Sequence, residues 1–152
     1  MKRLLLLIFL GGFACPPAAR GQAPNDSPPT FNHAAVCVHD LQKSADFYQT
    51  VLALREIPNP FQDGIHRWFA IGTGLQLHVI QRDCQPTPNK NIHLCFRVAS
   101  LRQFTKHLDQ LNVSYSNLRG DSKEPTRRAD GVQQIYLQDP DGYWIEINDA
   151  GV

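Results

Sequence analysis

Three histidines and one glutamate have the residue types and the spacing of a divalent metal site. His33 and His93 each lie at the start of an alternating segment, and His78 and Glu146 each lie in a later alternating segment of the same half of the chain. Neutral imidazole and carboxylate bind zinc, iron, nickel, cobalt and manganese. Four such donors would hold one ion and leave positions open for water or substrate, as a catalytic site requires.

The four residues occupy equivalent places in two halves of the chain. Aligning His33 with His93 brings the apolar positions of the segments that follow into register. Allowing one extra residue in the second hairpin turn then aligns His78 with Glu146. Any single histidine is more often a surface residue than a ligand, so the coincidence of four equivalent positions carries the prediction. Half a chain this short leaves an apolar sheet face open, and the repeat therefore implies two modules packed together.

The elements that must position these residues form a strand–helix–three-strand unit in each half. In the first half, alternation, a helix cap and turns predict a strand over 31–38, a helix after Asp40, and strands over 54–57, 65–71 and 75–81. In the second half, the same signals predict a strand over 92–98, a helix after Ser100, a short strand over 113–118, a polar loop over 119–130 and a hairpin with strands over 131–138 and 143–148. The predicted fold class is α+β, with modules 31–82 and 92–149.

The N-terminal segment has the features of a secretory signal peptide. Two basic residues precede an apolar run over 4–10, and small residues at positions 19 and 21 offer a cleavage site. We therefore expect residues 1–21 to be removed, 22–30 to form a flexible tether and 31–149 to form the domain. The mature protein would be secreted or periplasmic, without an integral membrane segment. Lipid attachment at Cys15 is the alternative.

The net charge argues against nucleic-acid binding, and the number of cysteines indicates a thiol that is unpaired within the chain. The 152 residues include 15 basic and 14 acidic side chains, for a formal net charge of +1. Removal of the three basic residues before position 22 leaves 12 against 14, which gives no electrostatic case for nucleic-acid binding. Cys37, Cys84 and Cys95 remain. Because their number is odd, at least one thiol would be free or paired with another chain.

Three segments carry a family resemblance. In the first half they are Asn32-His33 followed by Val38-His39-Asp40-Leu41, and then Ala45-Asp46-Phe47-Tyr48. In the second half the segment is Asp139-Pro140-Asp141-Gly142-Tyr143-Trp144-Ile145-Glu146. They resemble the vicinal oxygen chelate superfamily, which includes glyoxalase I, extradiol dioxygenases and bleomycin-resistance proteins, and the resemblance covers residues 31 to about 148. It implies two βαβββ modules in a cupped half-barrel. It also implies a divalent metal held from the first and last strand of each module, here by His33, His78, His93 and Glu146.

The resemblance implies a metal-dependent lyase or isomerase that chelates two vicinal oxygens of a small carbonyl substrate, with Glu146 moving the proton. His78 departs from glyoxalase I, which has a carboxylate at the matching position. Three imidazoles and one carboxylate leave a divalent ion with a formal charge of +1, which favours an anionic ligand. Export also argues against strict dependence on glutathione, which is chiefly cytosolic. Arg67 is a candidate for binding a substrate carboxylate.

Two alternatives stay open. A dioxygenase would use iron held by His33 or His78 together with His93 and Glu146, and Tyr136 would assist as an acid. A protein that sequesters a small molecule without catalysis would need no complete ligand set. Because members of the superfamily often pair, we also expect a homodimer.

Overall fold

The computed structural model describes residues 27–86 and 89–151. The predicted signal peptide, the lipidation alternative at Cys15 and most of the predicted tether lie outside these residues. No helix within the described residues is long and apolar enough to span a membrane.

The first module contains one helix and a four-stranded sheet. Its elements are β1 (His33–Val38), α1 (Leu41–Thr50), β2 (Arg55–Ile57), β3 (His66–Gly72) and β4 (Leu75–Gln81). The strand order is β1-β4-β3-β2, with β1 parallel to β4 and the other pairs antiparallel. Asp40 caps α1 because its side chain accepts a hydrogen bond from the Lys43 backbone N–H at 3.0 Å.

The second module repeats this arrangement. Its elements are β5 (His93–Arg97), α2 (Leu101–Gln110), β6 (Tyr115–Ser116), β7 (Thr126–Arg127), β8 (Gln133–Gln138) and β9 (Trp144–Asn148). The strand order is β5-β9-β8-β6, and β7 also pairs with β8. The predicted polar loop over 119–130 therefore contains a two-residue strand. This strand, β7, is held by its pairing with β8. The sequence did not predict it because the segment is short and polar and has no alternating pattern of its own.

The hydrophobic core lies on one face of each sheet. Alternate residues of the strands, such as Val36, Leu77 and Ile147, point to this face and pack with Tyr48 of α1 and Leu108 of α2. The opposite face carries the predicted metal-binding residues, and we call it the ligand face. The predicted α+β fold with two repeated modules is confirmed, and within the described residues the sheets do not close into a barrel.

The acidic turn between β8 and β9 joins the second module to the first. Asp139 accepts a hydrogen bond from the buried Tyr48 hydroxyl at 2.7 Å. Asp141 accepts one from the Ser44 hydroxyl at 2.9 Å and another from the His39 backbone N–H at 2.9 Å. Burial favours a raised pKa of Asp141, but its hydrogen bonds and the nearby His39 bring the pKa below the ordinary value. The turn is thus an inter-module contact as well as a strand connection.

A disulfide bond links Cys37 of β1 to Cys84, which follows β4 in the linker between the modules. Cys95 of β5 is free and exposed. The bond connects residues 47 positions apart, so it holds the beginning of the linker against the edge of the first sheet.

Candidate metal centre

The strand register places the predicted ligands at the same offset in both modules. Ala35 of β1 is the register partner of His78, and His33 lies two residues before Ala35 on the same face. Cys95 of β5 is the register partner of Glu146, and the first-strand histidine again lies two residues earlier. This common offset agrees with the alignment of the two halves of the sequence.

In the second module, His93 directs one ring nitrogen toward Glu146. Its Nδ1 lies 2.8 Å from the carbonyl oxygen of Lys90. A carbonyl can only accept, so Nδ1 carries the proton and the lone pair of the neutral ring is on Nε2. That Nε2 lies 3.4 Å from Glu146 Oε2. Two potential ligand atoms therefore face each other, and backbone contact fixes the orientation of the imidazole.

Glu146 is almost fully buried and is held by three donors. Tyr136 donates its hydroxyl to Oε2 at 2.6 Å, and Asn148 donates its amide to Oε1 at 2.8 Å. The Cys95 thiol lies 3.3 Å from Oε1. Burial favours a raised pKa of Glu146, but the hydrogen bonds from these donors lower it below the ordinary value. The site therefore favours an ionised carboxylate.

Tyr136 is placed to hold Glu146. Its hydroxyl accepts a hydrogen bond from Gln134 Nε2 at 2.8 Å and donates to Glu146. Burial and this carboxylate raise the pKa of Tyr136. The same two causes raise the pKa of the Cys95 thiol to about 12, so this cysteine stays protonated at neutral pH.

In the first module, the predicted ligands lie in contact as stacked rings. The imidazoles of His33 and His78 have centroids 4.3 Å apart and planes 13° apart. His33 Nδ1 donates to Asn32 Oδ1 at 2.8 Å, which leaves Nε2 with the lone pair. His78 Nε2 donates to Gln76 Oε1 at 2.9 Å, which leaves the lone pair of this ring on Nδ1. Burial, followed by the charges of nearby histidines, lowers the pKa of His78 and favours its neutral form.

The two ligand pairs remain separate. No group of three or more His, Cys, Asp or Glu side chains able to hold a metal forms within residues 27–86 and 89–151. In that part of the chain, β1 pairs only with β4 and β5 only with β9, so each of these strands has one unpaired edge. A cavity of about 180 Å³ lies between the two edges and is lined by Ala35, His93 and Trp144 among others.

The structure removes one candidate and adds others. Arg67 pairs with Glu56 and also donates to Gln42 of α1, so its guanidinium is engaged on the core side of the sheet and is not on the ligand face. Strand alternation could have shown this, because Arg67 has the opposite parity to Trp68, the register partner of His78. The sequence did not single out Gln134, which donates a hydrogen bond to Tyr136, or Asn148, which donates one to Glu146. Strand alternation places both on the ligand face. Trp68, which stacks on His78, was missed as well.

One family model matches most of the sequence. The model for the Glyoxalase/Bleomycin resistance protein/Dioxygenase superfamily matches residues 30–147. The chain belongs to this superfamily. Glyoxylase I 4 of Arabidopsis thaliana is 27% identical over 128 residues, which cover 78% of this chain and 69% of the relative. A lactoylglutathione lyase of Pseudomonas aeruginosa is 24% identical over an alignment that covers 80% of this chain and 83% of the relative.

Solved structures support the same fold. The fosfomycin resistance protein FosX of Listeria monocytogenes superposes with a TM-score of 0.62 at 22% identity, covering 83% of this chain and 97% of that one. The names of these similar proteins include a lactoylglutathione lyase and a fosfomycin resistance protein. Membership therefore establishes the fold, and the reaction must be argued from the site itself.

Proposed function

We propose that this superfamily member is an exported, metal-dependent lyase or isomerase that acts on a small carbonyl compound with two vicinal oxygens. The observation that carries the proposal is the pair formed by His93 and Glu146. An imidazole lone pair and a carboxylate oxygen face each other at 3.4 Å, and neighbouring groups fix both of them.

This distance fits a shared metal ion. Bonds of the usual length from zinc to nitrogen and oxygen, set at a tetrahedral angle, separate the two donor atoms by about 3.3 Å. His93 and Glu146 would therefore hold the ion in the second module, and His33 and His78 would supply the other donors. A bound divalent ion supplies Lewis-acid polarisation of a carbonyl and stabilises negative charge on its oxygen.

The protein groups would position the carboxylate and move the proton. Glu146 is the base best placed to remove a proton from the carbon beside the carbonyl and return it to the neighbouring carbon. Tyr136 and Asn148 orient its two oxygens and favour the ionised form that a base requires. Because Tyr136 has a raised pKa, it serves better as a hydrogen-bond donor to Glu146 than as an acid at neutral pH.

A second copy of the chain would complete the ligand set. The two pairs lie apart in one chain, and β1 and β5 each have an unpaired edge in the described part of the structure. In a homodimer with two-fold symmetry, the first module of one chain would face the second module of the other, which forms two equal sites.

Export is supported by the disulfide bond as well as by the sequence of the N-terminal segment. Disulfide bonds persist in oxidising compartments and are rare where thiols are kept reduced. Cys37 and Cys84 are paired in the structure. An exported enzyme would meet little glutathione, so we propose that its substrate is not a glutathione adduct.

Elemental analysis of residues 22–152, purified without a chelator, tests the metal assignment. We expect about one equivalent of zinc, nickel, cobalt or manganese in the native protein and a loss of this metal in His93→Ala. His107→Ala is the matched control, because His107 lies on α2 and contacts the Thr50 carbonyl instead of the ligand face. Iron at the same site would favour the dioxygenase reading.

The separation of the two ligand pairs also favours a second candidate, a small-molecule-binding protein without catalysis. Absence of bound metal after exposure to each ion would support this candidate and overturn the proposed enzyme.

A mixing experiment tests the shared site. One variant lacks the first pair (His33→Ala with His78→Ala), and the other lacks the second pair (His93→Ala with Glu146→Gln). If the sites are shared between chains, mixed dimers regain one intact site, and metal uptake returns on mixing. If each site forms within one chain, the mixture takes up no more metal than the separate variants.

A further inference from the structure

Three aromatic rings are stacked face to face on the ligand face of the first module. Trp68 and His78 are register partners, and their ring centroids lie 4.0 Å apart with planes 5° apart. His33 continues the stack on the other side of His78. We call these three residues the ring stack. Stacked rings on neighbouring strands make a rigid, mostly apolar surface that carries little charge.

A fourth ring extends this surface into solvent. Phe61 lies in the loop between β2 and β3, is 61% exposed, and meets Trp68 edge-on, with planes 82° apart and centroids 5.9 Å apart. The loop is held in place by Asn59, which accepts a hydrogen bond from the Phe61 backbone N–H and donates one to the carbonyl of His66. The exposed phenyl is therefore presented by a fixed loop at the end of the ring stack.

The second module has no comparable open ring. The matching residue, Tyr136, and its neighbour Trp144 both lie under the ammonium group of Lys90, at 5.3 and 4.4 Å from their ring centroids. Lys90 is itself held by the backbone carbonyls of Asn117 and Leu118. The exposed aromatic surface near the predicted ligands thus belongs to the first module.

From these contacts we propose that Phe61 and Trp68 bind an aromatic ring of the substrate. The proposed substrates are then compounds with two vicinal oxygens and an aryl substituent. Compounds that carry a methyl group in place of the aryl group should bind more weakly. The vicinal oxygens rest on the proposed function. Binding of the ring rests on the first module alone and needs no metal.

The test compares mandelate with lactate. Both carry a carboxylate and a neighbouring hydroxyl, and they differ by a phenyl group in place of a methyl group. Calorimetric titration should show that the native protein binds mandelate at least tenfold more tightly than lactate. Phe61→Leu removes the ring but keeps an apolar side chain, and it should bring this ratio close to one. Phe61→Tyr should restore the ratio.

Phe31→Leu is the control, because Phe31 is an equally exposed phenyl outside the ring stack and its 67% exposed side chain allows replacement without loss of fold. The ratio should stay unchanged in this variant. Equal affinities for mandelate and lactate in the native protein would overturn the proposal, as would a ratio that survives Phe61→Leu.

Repeating the titrations with and without added Zn²⁺ separates this proposal from the proposed function. A preference for mandelate that persists in protein unable to take up metal supports ring binding and overturns the metal-dependent reaction. Metal uptake together with equal affinities supports the metal site and overturns the ring site.

Discussion

Matching positions of the two modules hold the predicted metal ligand by different interactions, ring stacking in the first module and a hydrogen bond in the second. Trp68 in the first module corresponds to Tyr136 in the second, because each is the register partner of the last-strand ligand, His78 or Glu146. Trp68 stacks on the imidazole of His78 at 4.0 Å, whereas Tyr136 donates its hydroxyl to the carboxylate of Glu146 at 2.6 Å. One backbone arrangement thus holds a neutral ring by its face and a charged group by its oxygen.

This difference follows from what each group needs when it is taken out of water. A buried carboxylate requires donors, and the second module provides them from Tyr136, Asn148 and Cys95. A neutral imidazole requires few polar partners and gains from packing against other rings. The second module is therefore suited to hold charge, and the first is suited to bind an apolar surface.

The largest expected effect comes from removing the charge of the second module. Glu146→Gln keeps the shape of the side chain and an oxygen that accepts from Tyr136, but it removes the proposed base and an anionic ligand. We expect activity to fall about 10²- to 10⁴-fold and metal content to drop, with an unchanged circular dichroism spectrum. Glu124→Gln, at an exposed carboxylate, is the control. Full metal content in Glu146→Gln would contradict the assignment of Glu146 as a ligand.

The disulfide bond provides the next largest expected effect, and it acts on the first module and the beginning of the linker. Closing a loop between residues 47 positions apart should stabilise the fold by about 4 kcal/mol through the unfolded state. Cys84→Ser should lower the free energy of unfolding in urea by this amount, and a reductant should then have no further effect. An unchanged unfolding midpoint would show that the first module does not depend on the bond.

Sequence patterns predicted most of the local structure. Period-two alternation and turn residues gave the strands that carry His33, His78, His93 and Glu146, because these signals act over a few residues. Strand parity also placed each predicted pair on one face of its sheet. The two-residue strand β7 was missed because it depends on a partner strand, β8, and has no apolar alternation of its own.

Long-range contacts could not be read from the same patterns. The pairing of Cys37 with Cys84 depends on where the linker returns to β1, and the sequence left all three cysteines open. The docking of Asp139 and Asp141 on α1 joins residues about 90 to 100 positions apart. The stack of Trp68 on His78 depends on side-chain orientation across two strands. Each of these contacts follows from the packed fold and from no local signal.

A smaller effect is expected at the joint between the modules. Asp141→Asn removes a buried charge that accepts hydrogen bonds from His39 and Ser44, and it should lower the free energy of unfolding at pH 7 by about 2 kcal/mol. Because the pKa of Asp141 is lowered in the folded state, its contribution is fully present above the ordinary carboxyl pKa and is lost as the pH falls through the lower, folded value.

Unfolding of this variant should therefore depend less on pH below about 4. Urea unfolding at a series of pH values measures this change. Asp130→Asn is the control, because Asp130 forms an exposed ion pair with Arg128. If both variants behave alike, the acidic turn does not hold the two modules together.

The smallest effect distinguishes the two matching positions directly. Tyr136→Phe removes the hydroxyl that donates to Glu146, so the pKa of Glu146 should rise, and the folded state should lose about 1 kcal/mol near neutral pH. The lowered pKa of Glu146 contributes stability at pH values above the ordinary carboxyl pKa, and the variant should lose part of that contribution.

The measurement is the NMR chemical shift of the Glu146 carboxyl carbon as a function of pH in metal-free protein. Trp68→Phe keeps a ring against His78 and should leave this titration unchanged. An equal shift in both variants would mean that the two positions act through general packing, and that the second module does not hold its carboxylate by a specific hydrogen bond.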